Sequence, residues 1–218
     1  MYFDDRLDAA RQLADALRAW RGHDPLVLAI PRGAVPMGAE IARQLGGDLD
    51  IVLVRKLGAP GNPELAIGAV DETGWSYVAD YAGELGAHPA YIDGERREQL
   101  HVLGLRRARY TPGRHGFDPV GRTAIVVDDG LATGTTMVAA LHSVRARDPA
   151  RLICAVPVAS TDALARVRPY ADEVVCLEHP LDFGAVGRFY RDFPQVSDEE
   201  VVEILARAAR GAYERERA

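Results

Sequence analysis

The chain has 218 residues, of which 48% are hydrophobic, and its formal net charge is −6. This size and composition suffice for one domain with a full core, and the negative charge disfavours a general nucleic-acid-binding protein. No apolar run approaches the roughly 20 residues of a membrane span, and residues 1–18 contain four Asp and no apolar signal-peptide segment. We therefore expect one cytoplasmic domain over residues 1–218, without membrane contact.

Helices and strands are predicted to alternate in the first part of the chain. The periodicity of apolar residues predicts helices over Leu7–Leu17 and Val35–Leu45. Short apolar runs predict strands over Leu26–Ile30, Asp50–Val54, Leu65–Val70 and Ser76–Ala79, with Asp71–Gly74 as a hairpin tip. Between them, Arg55–Pro63 contains two Pro and two Gly and is predicted to be a loop.

The same alternation continues to the C-terminus. The predicted elements are a helix over Pro89–Tyr110, a connector over Thr111–Gly121, a strand over Thr123–Val127 followed by a helix, a strand over Arg151–Val156, a helix over Asp162–Val167, a strand over Glu173–Leu177, an irregular stretch over Glu178–Val196, and a last helix from Ser197 to about Tyr213. This order predicts an α/β fold with a parallel sheet covered by helices on both faces, which binds ligands at the carboxyl ends of its strands. Cys154 and Cys176 are expected to be buried in strands as small hydrophobic residues, forming neither a disulfide nor a metal pair.

One stretch carries most of the chemistry. An apolar run ending at Val127 is followed by Asp128, Asp129 and then a small-residue turn that contains three Thr and opens a helix. The free N–H groups at a helix N-terminus bind phosphate, and the Thr hydroxyls add donors. Two adjacent carboxylates suit ribose hydroxyls or Mg²⁺. The alternative is a polar loop in which Asp and Thr only cap the next helix.

The stretch resembles the PRPP-binding signature of type I phosphoribosyltransferases, PRPP being phosphoribosyl pyrophosphate. The resemblance implies a three-layer α/β/α fold with a small C-terminal hood over residues 178–196 and a flexible and helical insertion over residues 71–121. It also implies that Asp128 and Asp129 are catalytic and hold Mg²⁺. The residues that would bind the 5′-phosphate are Ala132, Thr133, Gly134, Thr135 and Thr136.

A second loop, Pro31-Arg32-Gly33-Ala34, follows the first predicted strand and resembles the pyrophosphate loop of the same family. Its N–H groups and Arg32 would bind pyrophosphate, and Gly33 would let the backbone approach the ligand. The resemblance implies a cis peptide bond between Pro31 and Arg32. The alternative is an ordinary strand-to-helix turn with a surface Arg.

Arg55 and Lys56 are adjacent cations at the end of a predicted strand, and we expect both to point at the ligand and to bind pyrophosphate. Lys56 is the single Lys among 26 basic residues, which favours a catalytic site where Arg would not serve, although chance is the alternative. Residues 62–64 and 71–72 fall where the family has a loop that closes over the site. Glu64 is a candidate for orienting a cation there, and turn chemistry is equally consistent with these residues.

The hood segment, residues 178–196, is rich in aromatic residues, and Phe183 and Tyr190 are guessed to stack on a flat acceptor. A satellite core under the last helix is an equal alternative. The basic stretch over residues 106–122 is interpreted as a solvated helix end, with contact to RNA or a second subunit as the alternative.

The resulting hypothesis is a Mg²⁺-dependent phosphoribosyltransferase that transfers ribose 5-phosphate from PRPP to a nitrogen heterocycle and releases pyrophosphate. Ala132 stands where enzymes for 6-oxopurines generally carry an Asp, which disfavours those acceptors, and no general base is identified. The resemblance also implies a homodimer. The main alternative is a non-catalytic regulator that binds PRPP or a nucleotide. The absence of GxGxxG after the first strand and of GxSxG disfavours dinucleotide-binding enzymes and esterases.

Overall fold

The computed structural model describes residues 3–113 and 116–216, which contain eight strands and six α-helices. The strands are β1 (Leu26–Ala29), β2 (Asp48–Ile51), β3 (Val54–Ala59), β4 (Asn62–Asp71), β5 (Ser76–Val78), β6 (Thr123–Val127), β7 (Arg151–Val158) and β8 (Glu173–Glu178). The helices are α1 (Arg6–Ala16), α2 (Ala34–Leu45), α3 (Pro89–Tyr110), α4 (Thr135–Arg145), α5 (Thr161–Val167) and α6 (Asp198–Glu216).

Five strands form a parallel sheet in the order β2-β1-β6-β7-β8. Successive side chains of a strand point to opposite faces, so strands made only of apolar residues bury both faces. Val27 and Ile125 pack with α1, α2 and α6 on one face. Leu28 and Val126 pack with α4 and α5 on the other. The predicted three-layer α/β/α fold is confirmed.

The predicted loop over Arg55–Pro63 is wrong, because these residues form most of strand β3, a tight turn and the start of strand β4. Strands β3, β4 and β5 make a separate antiparallel sheet, and β3 and β4 are joined by the two-residue turn Pro60–Gly61. Pro fixes the first turn position, and Gly61 takes a φ of +73° that favours glycine at the second. The predicted strand Asp50–Val54 is also wrong, since it merges the end of β2 with the start of β3 in the other sheet.

Helix α3 fastens the antiparallel sheet to the main one through Arg107. This guanidinium donates to Asp50 Oδ1 at 3.1 Å, to the Ile51 carbonyl at 3.0 Å and to both carboxylate oxygens of Glu72. The pKa of Arg107 is raised because its two acidic partners outweigh the cost of its burial. The region over residues 71–121 is thus built from β5, α3 and their connections, while residues 114 and 115 of the predicted connector lie outside the described ranges.

The hood segment and α6 close the domain. Ser197 Oγ accepts from Glu200 N–H at 3.1 Å and Glu200 Oε2 accepts from Ser197 N–H at 2.7 Å, a reciprocal capping box at the start of α6. Both cysteines are free; Cys154 is buried, but Cys176 is only half-buried because β8 is an edge strand. Burial raises the pKa of Cys176 to about 11. No helix within the described residues is long and apolar enough to cross a membrane.

Candidate functional site

The acidic pair lies at the carboxyl end of the central strand β6, as predicted. Asp129 N–H donates to Asp128 Oδ1 at 2.9 Å, which fixes the first carboxylate against the backbone of the second residue. Burial and the neighbouring Asp129 carboxylate hold the pKa of Asp128 well above its usual value. Burial also raises the pKa of Asp129, although Arg6 opposes this effect. Burial is thus the main reason why the charged forms of both carboxylates are disfavoured.

Arg6 is a site residue that was not predicted. Its Nε and Nη2 donate to Asp129 Oδ2 at 3.1 and 3.0 Å, and its Nη1 donates to the Pro194 carbonyl at 2.6 Å. The Arg6 side chain is 10% exposed. A sequence signal for it existed, because Arg6 lies on the apolar stripe of α1 that continues through Ala9, Ala10 and Leu13. A cation on a buried stripe needs a buried anion, which is here Asp129.

The hood segment supports the acidic pair from the other side. Tyr190 Oη donates to the Asp129 carbonyl at 2.7 Å, and the Tyr190 ring stacks on Phe193 with centroids 4.7 Å apart. Phe193 in turn lies 3.7 Å beneath the Arg6 guanidinium, a cation–π contact. Burial and the nearby Asp129 carboxylate raise the pKa of Tyr190. The predicted candidate Phe183 is buried against Phe189, with ring centroids 5.2 Å apart. The acceptor-binding role of Phe183 and Tyr190 stays a prediction.

The loop after the acidic pair surrounds a cavity of about 170 Å³. Gly134 caps α4 with a φ of +74°, and the first helical hydrogen bond runs from Val138 N–H to the Gly134 carbonyl. The N–H groups of Thr135, Thr136 and Met137 therefore precede the hydrogen-bonded ladder of α4. The cavity is lined by Asp128, Gly130, Leu131, Ala132, Thr133, Gly134, Thr136, Met137 and Val186. Val186 of the hood was not predicted, and its contact with Gly130 brings the hood over this cavity.

The predicted pyrophosphate loop lies directly against the acidic pair. The Pro31–Arg32 peptide bond is cis, as the resemblance implied. A Cβ atom at Gly33 would lie 2.0 Å from Asp129 Oδ2, so only glycine allows this approach. The Arg32 side chain extends towards α6, where its Nη1 is 3.7 Å from Asp198 Oδ1. The two predicted loops thus share one edge of the sheet.

Arg55 and Lys56 do not point in the same direction, and that expectation is wrong. Neighbouring residues of a strand face opposite sides. Arg55 is half-buried and donates to Gln99 of α3, and desolvation together with the nearby Arg106 lowers its pKa. Lys56 lies on the same face as Val54, which packs against the α4 side of the core. Lys56 is exposed and forms no ion pair with a described residue.

The remaining predicted polar residues are either exposed or paired with other residues of the chain. Glu64 is exposed in β4. Arg107, Arg109 and Arg122 of the basic stretch are engaged in ion pairs with acidic residues of this chain. A larger apolar cavity of about 480 Å³ lies between α2 and α6, away from the acidic pair. No group of three or more His, Cys, Asp or Glu within the described residues could hold a metal.

The sheet order and the two loops define an α/β protein of the class that binds ligands at the carboxyl edge of its strands. The sequence matches the phosphoribosyl transferase domain over residues 3–194, and the chain belongs to that family. The predicted resemblance to this family is thus confirmed.

Two curated proteins and one solved structure are similar to this chain over most of its length. Two Mycobacterium tuberculosis proteins, of strains CDC 1551 and H37Rv, are named as candidate phosphoribosyl transferases and are 47% identical over 210 residues. The match covers 95% of this chain and 47% of each relative, so the chain spans about half the length of these curated relatives. The crystal structure of TT1426 from Thermus thermophilus is 47% identical, covers 95% of this chain and 99% of its own, and superposes with a TM-score of 0.84.

Proposed function

We propose that the protein binds PRPP together with Mg²⁺, transfers ribose 5-phosphate to a nitrogen nucleophile and releases pyrophosphate. The observation that carries this proposal is the contact between Gly33 and Asp129 Oδ2. It sets a loop suited to pyrophosphate against carboxylates suited to ribose hydroxyls, beside a helix N-terminus suited to phosphate. The three chemical parts of PRPP are thus matched by three adjacent parts of the chain.

Each residue then has a physical role. The N–H groups of Thr135 and Thr136 and the Thr133 hydroxyl bind the 5′-phosphate at the start of α4. Asp128 and Asp129 accept from the ribose hydroxyls and stabilise the positive charge that develops as the C1–O bond loosens. Arg32 and Lys56 neutralise the leaving pyrophosphate, which requires the Arg32 side chain to leave Asp198.

The donor set fits a Mg²⁺ ion that arrives with its substrate. Such sites usually have one or two protein carboxylates, with substrate phosphate oxygens and water completing the octahedron. Asp128 and Asp129 provide that number, and no larger acidic group exists within the described residues. When bound, the ion would neutralise charge on the pyrophosphate oxygens.

The acceptor is proposed to be a small nitrogen heterocycle other than a 6-oxopurine, because Ala132 lacks the carboxylate expected for those bases. Val186 supplies an apolar surface over the cavity, next to the aromatic hood. The homodimer and the cytoplasmic location stay predictions.

The deciding experiment is calorimetric titration of Mg²⁺–PRPP into the protein, followed by pyrophosphate release with a panel of nucleobases, orotate and other nitrogen heterocycles. Mg²⁺-dependent binding with turnover on one base supports the proposal. The double variant Asp128→Asn, Asp129→Asn should abolish binding, and full turnover by it would contradict the proposal. Binding without turnover on any base would favour a PRPP-sensing regulator. Contact between such a regulator and nucleic acid through the basic stretch is disfavoured, because Arg107 and Arg109 are paired with acidic residues of this chain.

A further inference from the structure

The loop that lines the phosphate cavity is supported from behind by helix α5. Gly134 lies close to this helix, since a Cβ there would come within 3.2 Å of both the Ala163 carbonyl and Val167 Cγ2. Leu131 and Ala159 form an isolated parallel bridge, which anchors the start of the loop to the end of β7. Among the residues lining the cavity, none belongs to α5, so the loop separates the cavity from that helix.

Two side chains from α5 and its cap bind successive carbonyl groups of the loop. Ser160 Oγ donates to the Ala132 carbonyl at 2.8 Å, and Arg166 Nη1 donates to the Thr133 carbonyl at 3.0 Å. The same Arg166 Nη1 lies 3.5 Å from Thr135 Oγ1. The other guanidinium N–H groups of Arg166 donate to no residue in the described ranges, and its side chain is exposed.

These two bonds determine the direction of the neighbouring N–H groups. In a trans peptide unit the carbonyl and the following N–H point in opposite directions. Because Ser160 holds the Ala132 carbonyl towards α5, the Thr133 N–H points away from α5. Because Arg166 holds the Thr133 carbonyl in the same way, the Gly134 N–H also points away. Both N–H groups are therefore turned to the side on which the cavity lies.

We propose that Ser160 and Arg166 are positioning residues that preorganise the phosphate-binding loop, holding the N–H groups of Thr133 and Gly134 towards the 5′-phosphate. This inference rests on the proposed function. Arg166 also brings a positive charge to a loop whose ligand is a dianion, and that charge is unpaired by any described carboxylate. Ser160 and Arg166 act on the 5′-phosphate and have no contact with the pyrophosphate loop. Their replacement should therefore weaken binding of the ribose 5-phosphate half of PRPP and leave binding of the pyrophosphate half unchanged.

The test uses ligands that represent the two halves separately. Binding of ribose 5-phosphate and of Mg²⁺–pyrophosphate is measured by calorimetry with the parent protein and with Arg166→Gln. We expect ribose 5-phosphate affinity to fall about tenfold, because part of the binding free energy is then spent on orienting the loop, and pyrophosphate affinity to stay within about twofold. Arg166→Lys, which keeps the charge, should recover part of the loss.

Arg168→Gln is the matched control. Arg168 lies two residues after Arg166, carries the same charge, is exposed, and makes no hydrogen bond to the loop. It should bind both ligands as the parent does. Ser160→Ala should give the same selective loss, but Ser160 also accepts from Ala163 N–H at 3.1 Å and caps α5, so its Tm should fall too. Ser160→Thr retains the hydroxyl and should restore both properties.

The outcomes separate this inference from the proposed function. Suppose that the parent binds ribose 5-phosphate. If Arg166→Gln binds it equally well, or if its affinities for ribose 5-phosphate and for pyrophosphate fall to the same extent, the positioning role is wrong and the proposed function stands. If the parent binds neither ribose 5-phosphate nor PRPP, the proposed function is wrong and the inference is overturned with it.

Discussion

Arg6 and Asp129 are 123 positions apart in the chain, yet two N–H groups of Arg6 converge on a single oxygen of Asp129. The pair joins the first helix to the loop at the end of the central strand. Arg6 also contacts the Phe193 ring and the Pro194 carbonyl, so the N-terminal helix, the acidic pair and the hood meet at one guanidinium. This arrangement allows one carboxylate of the pair to remain charged at a buried position.

Replacement of Arg6 by Gln should therefore destabilise the protein and leave the buried Asp129 carboxylate without its cation. Removing one partner of a buried ion pair costs about 3 kcal/mol, because the remaining charge stays buried. We expect a lower midpoint of denaturant unfolding and a further rise in the pKa of Asp129. Arg11→Gln, on the exposed side of the same helix, is the control and should change stability by less than about 0.5 kcal/mol. Equal stability of Arg6→Gln and the parent would contradict a structural role for the pair.

Asp128→Asn should stabilise the ligand-free protein while abolishing Mg²⁺–PRPP binding. The folded state raises the pKa of Asp128, so stability is fully present below the unfolded-state pKa and is lost as the pH rises through the folded-state pKa. The neutral Asn removes that loss. Thermal unfolding of both proteins between pH 5 and pH 8 should show a Tm advantage of about 2–4 °C for Asp128→Asn at pH 8, narrowing as the pH falls. A parent that is the more stable protein at pH 8 would contradict this account.

His142 should produce the opposite dependence on pH. Its ring lies between Trp75 and Tyr170, with centroids 4.6 Å from each, and burial lowers its pKa from 6.5. The stability that the neutral ring contributes is present above pH 6.5 and is lost as the pH falls through the folded-state pKa. His142→Phe should remove this loss between pH 7 and pH 5, whereas the exposed control His101→Phe should unfold with the pH dependence of the parent. An unchanged pH profile for His142→Phe would overturn the prediction.

The sequence predicts those parts of the fold that depend on local patterns. The bounds of α3 agree residue for residue with the prediction over Pro89–Tyr110, because a Pro at its start and a long run of helix-forming residues define it. The start of the last helix near Ser197 and the position of the acidic pair likewise follow from local sequence patterns. The cis peptide at Pro31–Arg32 was available only through the resemblance to a family.

The features that the sequence did not predict depend on contacts between distant residues. The β3–β4 hairpin was missed because Pro63 and Gly58 weaken a strand pattern, and only the close packing of Gly58 against the Pro63 backbone explains the glycine. Ser160 and Arg166 are ordinary in sequence and acquire a role only where α5 meets the loop. Opposite directions for Arg55 and Lys56 follow from their placement in a strand.

Gly33→Ala tests the contact between the two loops. The added methyl would overlap Asp129 Oδ2, so either the acidic pair or the pyrophosphate loop must move. We expect binding of Mg²⁺–PRPP to weaken by at least about tenfold, since a misplacement of this size disrupts a preorganised site. Gly104→Ala is the control: its Cβ would meet open space on α3, and alanine should stabilise that helix by about 0.5–1 kcal/mol without affecting binding. Unchanged PRPP affinity in Gly33→Ala would show that the two loops do not act on one ligand.

A role of Lys56 in ligand binding can be tested separately from a role in stability, because Lys56 is exposed and makes no ion pair within the described ranges. Lys56→Gln should leave the free energy of unfolding within about 0.5 kcal/mol of the parent. Its affinity for Mg²⁺–pyrophosphate should fall about tenfold, as expected when one charged hydrogen-bond donor is lost. Arg21→Gln, another exposed cation, controls for the change in net charge and should bind as the parent does. Lys56→Arg distinguishes a requirement for the compact ammonium from a requirement for charge alone: reduced turnover supports the former, and full turnover means that the single lysine of this chain is there by chance.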